Sequence, residues 1–174
     1  MGKEGAFIRF HQTPHVAWLG EGQPRDDKVL SDPDGLAFLE RHLVIEEKID
    51  GANLGFSIDT EGVLRAQNRG GYLPLDGTKD QWRPLKGWLE PKAERIAEAI
   101  FPNLIIYGEW CHAVHSVKYS RLPDWFLVFD VYDRTTERFW SSDRRNALAR
   151  ELGLSVVPRV ADGKFDLAGL MVLF

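Results

Sequence analysis

Two apolar runs constrain this chain more than any other feature. Leu104–Trp110 and the run over 125–132 carry few charges and many aliphatic and aromatic side chains, which suits central strands covered on both faces. They require a sheet with a layer packed against it. Ala93, Ile96, Ala97 and Ile100 repeat at helical spacing just before the first run and supply one. Further strands are expected at 7–10, in the first half of 43–48, and at 53–58 and 63–66. The turn Asp59-Thr60-Glu61-Gly62 joins the last two. Helices are expected over 36–41, after an N-cap at Ser142, and over 167–174 behind an N-cap at Asp166. A short strand begins at Val156-Val157 and closes on a turn at Asp162-Gly163. Residues 13–34, with Pro14, Pro24 and Pro33 among several glycines, read as loop.

At 174 residues the chain predicts one domain over 1–174, long enough to bury a core. Its 22 basic and 26 acidic side chains give a net charge of −4, so a nucleic-acid contact has to be a local patch. Arg134, Arg138, Arg144, Arg145 and Arg150 are candidates for that patch, with a solvated helix face as the alternative. No stretch approaches the ~20 apolar residues of a membrane span, and the charged N-terminus lacks the core of a secretory signal. A cytoplasmic location and no membrane partner are expected. The single cysteine, Cys111, excludes an internal disulfide and a zinc site of several thiolates. His112 and His115 beside it lack a fourth ligand and read as ordinary loop residues.

The most informative stretch is Glu47-Lys48-Ile49-Asp50-Gly51-Ala52-Asn53. Apolar strand residues precede Lys48 and an Asp-Gly turn follows it, a mounting suited to a nucleophile. A lysine of ordinary pKa, about 10.4, is almost wholly protonated at neutral pH. On strand alternation Glu46 and Asp50 share its side and hold the proton on, so catalysis needs a cation or another positive group nearby. Taken alone, Lys-x-Asp-Gly is more often a solvated lysine in a charged hairpin.

Order and spacing add to this. Lys48-Ile49-Asp50-Gly51, Asn68-Arg69-Gly70-Gly71, Tyr107-Gly108-Glu109-Trp110 and the run from Phe126 to Asp133 resemble, in family order, the motifs of the covalent nucleotidyltransferases. That superfamily comprises ATP-dependent RNA ligases, DNA ligases and RNA-capping enzymes, and the likeness is to the RNA ligase branch. Thr13-Pro14-His15 and Asp26-Asp27-Lys28 also look like the N-terminal segment of bacterial members. The resemblance implies an α+β fold of the nucleotidyltransferase, ATP-grasp-like ligase adenylation type, with mainly antiparallel sheets and packed helices. It implies that Lys48 is the nucleophile that takes AMP, that Asn53 lines the nucleotide pocket, and that Arg69 contacts ribose or phosphate. By the same likeness Glu109 binds the ribose hydroxyls, Phe129 stacks on adenine and Glu47 helps recognise the base. ATP and Mg²⁺ or Mn²⁺ are the implied cofactors, and RNA ends with a 5′-phosphate and a 3′-hydroxyl the implied partners.

The resemblance also exposes a departure. The family's metal-binding glutamate motif and Lys-x-Lys motif are expected after the terminal helix, and no Lys-x-Lys occurs in the 174 residues. Glu61-Gly62-Val63-Leu64 resembles the former but stands between the first and second motifs, where a hairpin turn explains it better. A chain lacking its C-terminal part is therefore expected, with weak or absent adenylation of Lys48. The alternatives are a non-catalytic adenine-nucleotide or RNA-end-binding module, and guanylyl transfer or DNA ligation by the same motif.

Overall fold

Paired with each other, the two apolar runs form the centre of the main sheet. In the computed structural model, which describes residues 5–22, 28–76 and 80–173, the elements in chain order are α1 (Asp32–Leu39), β1 (Leu43–Glu46), β2 (Ala52–Ile58), β3 (Leu64–Gln67) and β4 (Tyr72–Leu73). There follow α2 (Leu85–Leu89), α3 (Ala93–Ile100), β5 (Leu104–Trp110), β6 (Phe126–Asp133), β7 (Arg138–Phe139), α4 (Ser142–Leu152), β8 (Ser155–Val156), β9 (Arg159–Gly163) and α5 (Leu167–Met171). Pro24, Asp26, Asp27 and Phe174 lie outside the described residues. The chain divides into two compact units, 1–10 with 48–157 and 11–47 with 158–174.

The first unit holds the sheet β4-β3-β2-β5-β6, with β7 and β8 on the outer side of β6. Its pairings are antiparallel except β6 with β8. Side chains alternate between faces. One face, with Leu54, Phe56, Ile106, Trp110 and Val128, is buried against Trp88 of α2, Ile96 and Ile100 of α3 and Leu152 of α4. Phe56 stacks on Trp88 at 6.0 Å and meets Phe126 edge-on at 5.2 Å, the offset geometries that aromatic quadrupoles favour.

The opposite face carries Asn53, Gly55 and Ser57 of β2 beside Tyr107 and Glu109 of β5. Residues 7–10 do not form the expected strand. They lie extended, held by side chains instead of a ladder: Tyr107 Oη and Gln67 Nε2 donate to the Ile8 carbonyl at 2.6 and 2.8 Å, and Phe10 meets Tyr107 edge-on. A β-bulge interrupts β6. Tyr107 lies opposite Asp130 and Gly108 opposite Val128, so Phe129 has no counterpart on β5.

In the second unit β1 pairs antiparallel with β9, Leu43 opposite Gly163. The Asp162-Gly163 turn of the sequence reading is thus the end of a strand. Helix α1 begins earlier than expected because Ser31 caps it, accepting from the Asp34 N–H at 3.3 Å, and Pro33 fits its first turn, where its missing N–H costs nothing. Asp166 caps α5 as expected, accepting from Gly169 N–H at 2.7 Å. In the first unit the cap of α4 is Ser141, one residue before the expected Ser142. Among the described residues no helix is long and apolar enough to cross a membrane.

Candidate functional site

Strand β1 ends at Glu46, so the alternation expected to run on through Asp50 does not apply. Lys48 stands exposed in an extended segment, and the three residues behind it hold it in place. Ile49 is buried in a small cluster with Leu127 and Val157. The Asp50 carboxylate accepts from the Ser116 and Val117 N–H groups at 2.7 and 3.0 Å, while its own N–H donates to Tyr119 Oη at 2.7 Å. Those backbone donors hold Asp50 below its ordinary pKa. Asp50 is therefore committed to the 112–119 loop, not turned toward Lys48 as expected. Gly51 donates its N–H to Glu109 Oε1 at 3.0 Å. A Cβ there would sit 2.6 Å from the Trp110 carbonyl oxygen, so only glycine permits the approach.

Asn53 and Glu109 face each other across β2 and β5. Asn53 Nδ2 is buried and has no hydrogen-bond partner; of the three such donors among the described residues, with Arg134 Nε and Trp140 Nε1, it is the one paired across the strands with Glu109. Burial pushes the Glu109 carboxyl above its ordinary pKa, opposed by the Gly51 N–H and by the charges of Lys48 and Arg69, and reinforced by Asp50. Both cations thus act on the same carboxylate through space. Arg69 is exposed in a loop tightened by Asn68, whose Oδ1 accepts from Gly70 and Gly71 N–H at 2.7 and 3.1 Å. That loop leaves β3 just past Gln67, which pairs with Gly55, at the end of the sheet where Asn53 and Glu109 lie.

Phe129 is half-buried on the Tyr107 and Glu109 face, edge-on to Phe10 at 5.1 Å. Its carbonyl accepts from Arg145 Nη1 at 2.5 Å. The structure thus brings Lys48, Asn53, Arg69, Glu109 and Phe129 together in one unit. Glu47 belongs to the other unit, exposed, with its N–H donating to the Pro158 carbonyl at 2.9 Å.

Several residues outside the motifs hold this arrangement. Tyr119, Ser116 and Val117 grip Asp50, and buried Arg145 braces the bulge. Of the five arginines of the expected basic patch, Arg138 and Arg150 are exposed and the other three are engaged within the chain. Arg134 is spent on the Ala6 and Ile58 carbonyls, Arg145 is inside, and Arg144 lies over the Trp140 ring at 3.6 Å. Glu61 lies in the hairpin turn between β2 and β3, where Asp59 Oδ1 accepts its N–H at 2.9 Å. Among the described residues no group of three His, Cys, Asp or Glu side chains could hold a metal ion. Burial, with Glu109 and Asp50 nearby, pushes the Cys111 thiol up to about 12, so it stays a protonated thiol.

A family model described as RNA ligase matches residues 41–172. Among solved structures, the chain is similar to the Naegleria gruberi RNA ligase with PPi, at 16% identity and a TM-score of 0.59, covering 95% of this chain and 49% of that one. A lysine-to-alanine mutant of the same ligase with ATP and Mn matches at 16% identity and TM-score 0.58, covering 75% and 41%. An archaeal ATP-dependent RNA ligase matches at 25% identity and TM-score 0.54, covering 75% and 34%. This chain thus spans less than half the length of each of these three ligases. No curated protein matches the sequence.

Proposed function

This chain belongs to the RNA ligase family, and we propose that its first unit is the nucleotide-binding and nucleotidyl-transferring part of an ATP-dependent RNA ligase. The observation that carries this reading is the buried, unpartnered Asn53 Nδ2 directly across the sheet from Glu109. An orphaned donor beside a desolvated acceptor suits a neutral ligand edge that offers both acceptors and hydroxyl donors, and an adenosine does so. In this reading Glu109 takes the ribose hydroxyl protons, Asn53 donates to the nucleoside, and Phe129 supplies the adenine a ring face. Arg69 faces the phosphates.

Lys48 is the nucleophile. Its deprotonated Nζ forms a bond to the α-phosphorus as the bond to the pyrophosphate oxygen breaks, and the amine proton passes to solvent. AMP then moves to an RNA 5′-phosphate, and a 3′-hydroxyl displaces it to join the strands. Such transfers depend on placement and charge neutralisation, which the anchoring of Ile49, Asp50 and Gly51 and the charge of Arg69 serve. Mg²⁺ or Mn²⁺ is the metal cofactor in this reading; among the described residues no group of three His, Cys, Asp or Glu side chains would hold it, so no step is routed through it. RNA ends as substrate and the cytoplasm as compartment complete the reading.

Calorimetric titration with ATP is expected to saturate. Glu109→Ala should weaken binding roughly tenfold or more, the loss of charge-assisted hydrogen bonds. Intact-mass analysis after incubation with ATP is expected to show an AMP adduct at low yield, since the chain has no Lys-x-Lys, and none in Lys48→Ala. ATP binding that does not saturate, or that ignores Glu109, overturns the proposal.

A further inference from the structure

The loop between β5 and β6, residues 111–125, carries one acidic side chain, Asp124, whose Oδ1 accepts from Trp88 Nε1 at 2.7 Å, in a protein whose net charge is −4. Its basic side chains sit at every third position, His112, His115, Lys118 and Arg121, and all four are exposed. The loop is not loosely attached. Asp50 accepts the Ser116 and Val117 N–H groups, and Tyr119 Oη accepts the Asp50 N–H, so its middle is fastened two residues from Lys48. Where the loop returns to the sheet, Trp125 is 42% exposed, and His112 meets it edge-on at 4.8 Å. Two cations, Lys118 and Arg121, with an accessible indole close by on a pre-ordered segment suit one ligand chemistry, a flexible polyanion whose repeating units carry flat apolar faces.

We propose that the 111–125 loop is the docking surface for the 5′-phosphorylated end of a single RNA strand. Lys118 and Arg121 hold its backbone, and Trp125 offers a base a stacking face. The proposal rests on the RNA ligase reading and deepens it, because the tether through Asp50 brings the strand end to the lysine that would carry AMP. Of the arginines of α4 and β7, Arg138 and Arg150 are exposed, on separate elements, and serve as the control below. Arg145 is buried and Arg144 is occupied by Trp140. An acidic protein would find the same charges, and the polyglutamate comparison below separates it from RNA.

Fluorescence anisotropy with a labelled 5′-phosphorylated oligoribonucleotide over a salt series, alongside ATP titration of the same proteins, tests this. Each phosphate contact to a single strand contributes about 0.7 to the slope of log affinity against log salt. The double substitution Lys118→Ala with Arg121→Ala is therefore expected to lower the slope by about 1.4 and weaken RNA binding. ATP binding should stay unchanged. Arg138→Ala with Arg150→Ala, on exposed positions elsewhere, should alter neither, and Trp125→Ala should weaken RNA without changing the slope. An unaltered slope in the loop variant, an equal drop in the Arg138 and Arg150 variant, or polyglutamate bound as tightly as RNA overturns the proposal. RNA binding that follows the loop while ATP fails to bind overturns the nucleotide reading alone.

Discussion

Glu109 must carry charge where the surroundings disfavour it. Burial raises its carboxyl above the ordinary range, so ionising it costs the folded state. The stability it contributes is complete below the unfolded pKa and is lost as pH rises through the raised folded value. Glu109→Gln retains an oxygen for the Gly51 N–H and removes that cost. Thermal melts should show the variant more stable than the parent at mildly alkaline pH and equal to it in acid, with ATP binding impaired throughout. A variant less stable in alkali would show that Glu109 is a structural ion, not a poised ligand group. Gly108 is constrained differently. A Cβ there would lie 2.4 Å from the Phe126 ring and 2.6 Å from the Leu127 carbonyl oxygen. Gly108→Ala should cost about 1–3 kcal/mol through overpacking, readable as a lower denaturant midpoint.

At the level of elements, the Lys-x-Asp-Gly segment and the 112–119 loop form one mechanical part. Asp50 is held below its ordinary pKa by the loop's N–H groups. That grip is present above the unfolded carboxylate pKa and is lost as pH falls through the depressed folded value. Asp50→Ala should accelerate hydrogen exchange at Ser116 and Val117 at neutral pH, and unchanged protection there would refute the tether. Tyr119→Phe removes the acceptor of the Asp50 N–H and should cost about 0.5–1.5 kcal/mol, reducing adduct formation on Lys48 more than ATP affinity. None of this was legible in the sequence, because Asp50 and Ser116 are 66 positions apart and no local pattern links them. The loop's basic side chains were legible, but nothing local in the sequence tied them to the Lys-x-Asp-Gly segment. Lys118 and Arg121 become informative once their loop is seen to be fastened to Asp50.

At the scale of the molecule, β5 and β6 were readable because each is apolar on both faces, and α3 because its period is helical. The short pieces β4 and β7 carry no comparable signal, and residues 7–10 gave a strand pattern although side chains, not a ladder, hold them. The core face of the main sheet depends on the helices laid over it. Ile96→Ala, at a fully buried position of α3, should cost about 2–5 kcal/mol and lower the melting temperature by roughly 2–4 °C for each of them. Phe129 has a different standing. As the extra residue of β6 it lies outside the strand's parity: Leu127 and Val128 on one side, Val131 and Tyr132 on the other, already point as an uninterrupted strand would have them. Excising it turns no neighbour over and brings Asp130 into its place. A one-residue deletion is therefore a gentler edit to this sheet than many substitutions. It would separate the fold, which survives, from the aromatic face, which does not.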